Sequence, residues 1–294
     1  MKEYGDLESL FKAWMKKQKE DGEKNTGIFV SDGYIYKEKY EANTKKKILF
    51  ILKESHYFSG DKVPQGEKEV IEAPQVDFYK DFFDEEYTNK DNEGNPICKN
   101  GEPLYCLDKN NTILPKAFAN KAKKYKYFDN PSKQKEKIAR MSEYILEGKI
   151  TSSYGSLKQA LAQVAFMNIN KKGGSDTTNS KSLSEYYQKY STEIINEIKI
   201  LQPKIIVLMI NNEEIEKDLQ DKLKEIKFVK MIHTAARGKN LNLTTPENDY
   251  YKKIFKDHYE EGNGPFLKFC PTTERFLARF IYSYDKGVLL KKGE

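Results

Sequence analysis

The stretch KKKILFILKES, residues 45–55, sets five consecutive apolar side chains, Ile48–Leu52, between charged flanks. An apolar run this short, without alternation, reads as a strand buried on both faces, the condition of strands in the parallel sheets of α/β proteins. Three further runs share this character: AFMNIN (165–170), KIIVLMI (204–210) and KFVKMIH (227–233). Helical periodicity fills the gaps, over 133–148, 154–164, about 182–201 and 212–225. The 182–201 helix carries Tyr186, Tyr187, Tyr190, Ile194, Ile195, Ile198 and Leu201 on one broad face, and Pro203 breaks it. Strands alternating with helices predict an α/β fold: three layers around a central, mainly parallel four-stranded sheet.

Outside this core, residues 4–20 predict a packing helix with Leu7, Leu10, Phe11 and Trp14 inward. Residues 26–40 predict a hairpin turning at Ser31-Asp32-Gly33. A last helix is expected over about 271–284, with Phe276, Leu277, Phe280 and Ile281 inward. Turn signals crowd DNEGNPICKNGEP, and 56–115 reads as loop-rich. The expected organisation is one domain over 1–294, with an N-terminal extension 1–44 and an enlarged insertion at about 56–150.

The chain has 294 residues, 38% hydrophobic and 33% charged, and its 20 Tyr and 16 Phe are too many for a disordered chain. No run approaches the roughly 20 apolar residues of a membrane span. The start, MKEYGDLESLFKAW, lacks the apolar centre of a secretory signal. Cys98, Cys106 and Cys270 can neither pair completely nor supply four thiolates to one metal. These features predict a soluble, cytoplasmic protein with no membrane partner, no metal and no cofactor. The net charge of +6 is unevenly spread: residues 77–108 carry −6 and residues 109–149 carry +7. The basic part is either a set of solvated lysine faces or a nucleic-acid patch. In the second reading the patch runs from Lys116 to Lys137, interleaved with Phe118, Tyr125, Tyr127 and Phe128.

Open parallel sheets bind ligands beyond the carboxyl ends of their strands. Those ends read Lys53-Glu54-Ser55-His56, Asn168-Ile169-Asn170-Lys171, Ile210-Asn211-Asn212 and His233-Thr234-Ala235-Ala236-Arg237-Gly238. No glycine-rich dinucleotide fingerprint or phosphate loop follows any of them. Each residue also has an ordinary reading. Glu54 either caps a helix or pairs with a lysine, or it is a general base. His233 is either a satisfied structural histidine or a donor to substrate. Asn168 is either a turn residue or, with donor and acceptor on one amide, a reader of a base edge.

With these four motifs in order over roughly 45–245, the chain resembles the uracil-DNA glycosylase superfamily. The matching stretches are ILFILKESHY, AFMNINKKGG, EIINEIKILQPKIIVLMI and VKMIHTAARGKN. Leu52, Lys53 and Ser55 stand where glycine and proline are usual in the first motif, and Thr234 where proline follows the histidine. The resemblance implies a DNA-base glycosylase that takes a flipped or single-stranded base and hydrolyses its N-glycosidic bond, without metal. It implies roles for individual residues: Glu54 orients water and stabilises charge on the sugar, Asn168 reads the base, and Tyr57 or Phe58 stacks on it. His233 donates to the leaving base. Arg237 enters the vacated stack, and Lys171 and Lys172 hold the backbone. Lys53, Ser55, Asn170 and Thr234 complete the expected substrate contacts.

Three other readings remain beside it. One is a noncatalytic nucleic-acid or nucleotide binder on the same fold. Another is a metal-dependent hydrolase using Glu54, His56 and His233. The last is a protein-interaction component, of phage or defence origin, with 56–150 as its surface.

Overall fold

A computed structural model describes residues 4–21, 28–54, 71–74, 130–150, 154–172, 180–231, 243–249, 251 and 271–287. The chain divides into two compact units, Met1–Phe78 with Gln163–His233, and Tyr79–Ala162 with Thr234–Glu294.

The first unit holds helix α1 (Leu7–Glu20), strands β1 (Ile28–Ser31) and β2 (Gly33–Tyr34), helix α2 (Lys37–Ala42) and strands β3 (Ile48–Glu54) and β4 (Ile71–Pro74). After residues assigned to the second unit it resumes with β5 (Val164–Asn170). The helix at Ser180–Leu201, β6 (Ile205–Leu208), the helix at Glu213–Lys222 and β7 (Lys227–Lys230) follow. The second unit contributes α3 (Asn130–Glu147) and α4 (Tyr154–Ala162), so the helices at Ser180–Leu201 and Glu213–Lys222 are α5 and α6. The last helix is α7 (Pro271–Lys286).

The central sheet is an α/β sheet of five strands in the order β2-β5-β3-β6-β7. The four expected strands are all present and mutually parallel. Two expectations are corrected. The sheet has five strands instead of four and is mixed, because β2 adds an antiparallel edge to β5, and the described residues 28–40 do not form a hairpin. Instead β1 pairs in parallel with β4, and β2 pairs with β5. Gly33 allows the change of direction. Its φ of 124° is one that L side chains rarely adopt, and a Cβ there would meet Leu7 Cδ1 at 2.6 Å.

Alternation along the strands divides the side chains between two faces. One face, with Leu49, Ile51, Ala165, Met167, Ile169, Ile206 and Leu208, joins a core shared with α1, α5 and α6. The predicted inward residues of α5 are all buried there, as are Leu10, Phe11 and Trp14 of α1. Trp14 meets Phe29 edge-on at 5.8 Å and Tyr190 at 6.0 Å. Each such large side chain contributes about 1.5–3 kcal/mol when it leaves water. Helix α1 starts where Asp6 accepts the N–H of Ser9 at 2.7 Å, an N-cap.

In the second unit α3 packs against α4 and α7. Phe276, Leu277, Phe280 and Ile281 of α7 are buried, in line with their spacing. Arg279 donates through Nε and Nη2 to Glu247, at 2.9 and 3.2 Å, and Glu247 also accepts the N–H of Thr244 at 2.7 Å. No helix among the described residues is long and apolar enough to cross a membrane.

Candidate functional site

Strand β3 leads on to β5 on one side, and β6 leads on to β7 on the other, so the sheet order turns between β3 and β6. In open α/β sheets the ligand crevice lies outside the carboxyl ends at such a turning point. Here those ends carry Lys53 and Glu54 on β3 and Met209 to Asn212 after β6. Glu54 is the register partner of Asn170 and Leu52 that of Asn168, so the first two motifs end side by side on strands about 4.8 Å apart. Lys53, Asn170 and Lys172 are partly exposed.

The α6 start beside this crevice is not built for phosphate. Asn212 Oδ1 accepts the N–H of Ile215, and Glu216 accepts that of Asn212, both at 3.2 Å. With Glu213 and Glu214 also in the first turn, the helix supplies its own negative charge where its dipole would favour an anion.

At the β5 edge the antiparallel ladder slips. Gly33 pairs with Phe166 but Phe29 bridges Lys172, so four steps along one segment span six along the other. A buried N–H left without its ladder partner needs another acceptor. Asp32 supplies it: Oδ2 accepts the N–H of Asn168 at 2.6 Å and its side-chain amide at 3.2 Å. The other oxygen, Oδ1, accepts from Lys171 Nζ. Lys171 also donates to Glu197 Oε1 at 3.0 Å, and its Nζ lies 2.8 Å from Oε2 within the same ion pair. Its ammonium lies 5.4 Å from the ring centre of Phe11 and 5.5 Å from that of Trp14. The side chains of Lys171, Asp32 and Glu197 have no exposure. Burial pushes the Glu197 carboxyl well above the usual range; Lys171 opposes this, and Asp32 adds to it. Burial therefore favours the protonated form of the Glu197 carboxyl.

This geometry separates the expected site residues. Asn168 is fully enclosed, with its amide nitrogen on Asp32, and is not presented to a base. Lys171 is enclosed and held by two carboxylates, so its ammonium is not offered to a phosphate. Lys172 is partly exposed, its Nζ stands 5.5 Å from the ring centre of Tyr186, and burial followed by repulsion from Lys189 lowers its pKa. Asn170 lies on the same face as Asn168, two residues further along, with Oδ1 accepting the N–H of Lys172 at 3.0 Å. Glu54 is placed through its backbone alone. Ser55, His56, Tyr57, Phe58, His233, Thr234 and Arg237 lie outside the described residues. So does the basic cluster up to Lys126. At its far end Lys137 is buried, with Nζ 4.7 Å from the ring centre of Phe276.

Two residues of the network escape sequence reasoning. Asp32 sits inside a turn signal and reads as a turn residue. Glu197 does leave a sign: it interrupts the apolar stripe of Tyr190, Ile194, Ile198 and Leu201, and an acid in such a stripe needs a buried partner. Among the described residues no group of three His, Cys, Asp or Glu could hold a metal ion. Compared with family models, curated proteins and solved structures, the chain matches none of them.

Proposed function

We propose that the protein binds a base of DNA, or a nucleotide, beyond the carboxyl ends of β3 and β6, on a three-layer fold of the uracil-DNA glycosylase type, and hydrolyses its N-glycosidic bond. The observation that carries the reading is the register pairing of Glu54 with Asn170 at the carboxyl ends of β3 and β5, next to the turning point between β3 and β6. It sets a carboxylate residue and an amide residue side by side where a ligand is expected. In this proposal Asn170, not Asn168, reads the base edge, Glu54 orients water at the sugar, and Lys172 meets phosphate beside the Tyr186 ring. The network of Asp32, Asn168, Lys171 and Glu197 is scaffolding that fixes the end of β5. His233 keeps the role of donor to the departing base that the resemblance implies.

A noncatalytic binder on the same fold is the second reading, favoured by the enclosure of Asn168. The deciding experiment incubates the protein with oligonucleotides bearing different modified bases and scores abasic sites in single-turnover reactions. The proposal expects base release from at least one substrate. Asn170→Ala and Glu54→Gln should slow it by about 10²–10³, as for loss of one prealigned group. DNA binding without base release selects the noncatalytic reading. Neither binding nor release overturns both.

A further inference from the structure

At the opposite pole of the same sheet, where β3, β6 and β7 begin, lies a cavity of about 390 Å³. Its size is that of pockets for small organic ligands. Its walls carry Lys47, Lys199 and Lys204 against a single carboxylate, Glu225, which leaves two net positive charges. Lys199 and Lys204 form no ion pair among the described residues. Lys47 is held in place, with its Nζ 5.8 Å from the ring centre of Tyr40. Of the apolar residues around the cavity, Ile226 is partly exposed, while Ile198, Pro203 and Leu223 are buried.

A second observation concerns Gln202, which also lines the cavity. It follows the end of α5 with φ 48°, and its N–H is accepted by the Ile198 carbonyl at 2.9 Å. This is the left-handed position after a helix that glycine fills at least cost. A glutamine there accepts backbone strain to keep an exposed amide beside the lysines.

We propose that this cavity binds a phosphate monoester with a flat apolar body. Two net positive charges match the dianion, the Gln202 amide adds a neutral donor, and the partly exposed Ile226 meets the organic group. Three lysines against one carboxylate repel one another, and the ligand relieves that repulsion. The site is separate from the proposed base site and does not depend on it.

The test is calorimetric titration of the full chain with phenyl phosphate, with adenosine monophosphate, with inorganic phosphate and with phenol. Phosphate esters should bind more tightly than inorganic phosphate, phenol should not bind, and added salt should weaken binding. Preference between the two esters tells a nucleotide source from a simpler aryl phosphate. Lys199→Ala and Lys204→Ala should each weaken binding about tenfold, the worth of one charge-assisted hydrogen bond. Gln202→Gly should weaken binding without lowering the melting temperature, because it removes the amide and relieves the strain together. Asn170→Ala and Glu54→Gln should leave the binding of phenyl phosphate unchanged. The proposal is overturned if no ester binds at millimolar concentration, or if the lysine variants bind like the parent. The same holds if binding is lost in the Asn170 or Glu54 variants and kept in the lysine ones. Lysines that serve only to complement the end of α5 predict loss of stability with no ester binding, which also overturns it.

Discussion

Lysines at two places in the first unit meet opposite fates. At the β5 edge Lys171 is sealed between Asp32 and Glu197 with no exposure. At the amino ends of β3 and β6, Lys199 and Lys204 line an open cavity and form no ion pair among the described residues. Glu197 and Lys199 are only two residues apart on α5, yet one faces the core and the other water. Burial makes the difference. An ammonium withdrawn from water is tolerable only with opposite charge and hydrogen bonds around it, whereas an exposed one keeps its hydration and stays available to a ligand. The buried lysine is thus committed to structure, while the exposed ones keep their hydration.

The strongest way to break this contrast is Lys171→Ala. It leaves Asp32 and Glu197 enclosed without their cation, and the expected loss is about 3–5 kcal/mol in urea unfolding. A loss no larger than that of a surface substitution would show that the network is not buried in solution. Asp32→Asn is milder. It keeps an oxygen for the Asn168 N–H while removing one charge, and leaves Lys171 to pair with Glu197 alone. A loss of about 1–3 kcal/mol is expected. Faster hydrogen exchange at the Asn168 amide would show whether that hydrogen bond has weakened.

The third comparison is one of pH. The Glu197 carboxyl is raised in the folded state above its ordinary value of 4.5, with burial the main cause. The folded chain therefore binds more protons than the unfolded chain between those two values. This group's contribution is most favourable below the unfolded value and falls as pH rises through the window. Glu197→Gln lacks that slope. Urea midpoints measured from pH 5 to 9 should move in favour of the variant, relative to the parent, as pH rises; movement the other way would mean that Glu197 is ionised in the fold. The smallest effect is expected at the cavity. Lys199→Ala and Lys204→Ala should leave the unfolding midpoint unchanged, and a clear drop would assign them to the fold.

Much of the architecture is legible from local pattern. The apolar runs that begin at Ile48, Ala165, Lys204 and Lys227 mark the four parallel strands, and the predicted inward face of α5 is the buried one. Both follow from periodicity, which neighbouring residues carry among themselves. The pattern fails at 26–40, where Ser31-Asp32-Gly33 has the composition of a hairpin turn but the strands on either side take different partners. Turn chemistry shows that a chain bends; it does not show what its arms pair with.

The site divides along the same line. By itself the sequence determined that the polar ends of β3 and β5 share a pole, since both are carboxyl ends of strands in a parallel sheet. Only the tertiary structure decided that Lys171 is the enclosed one, that Asp32 ties down Asn168, and that Asn170 and Lys172 remain partly exposed. The partners that settle this lie 139 residues away for Asp32 and 26 for Glu197. Burial and ion pairing depend on which distant segments meet, and that is a property of the assembled core, not of any local stretch of chain.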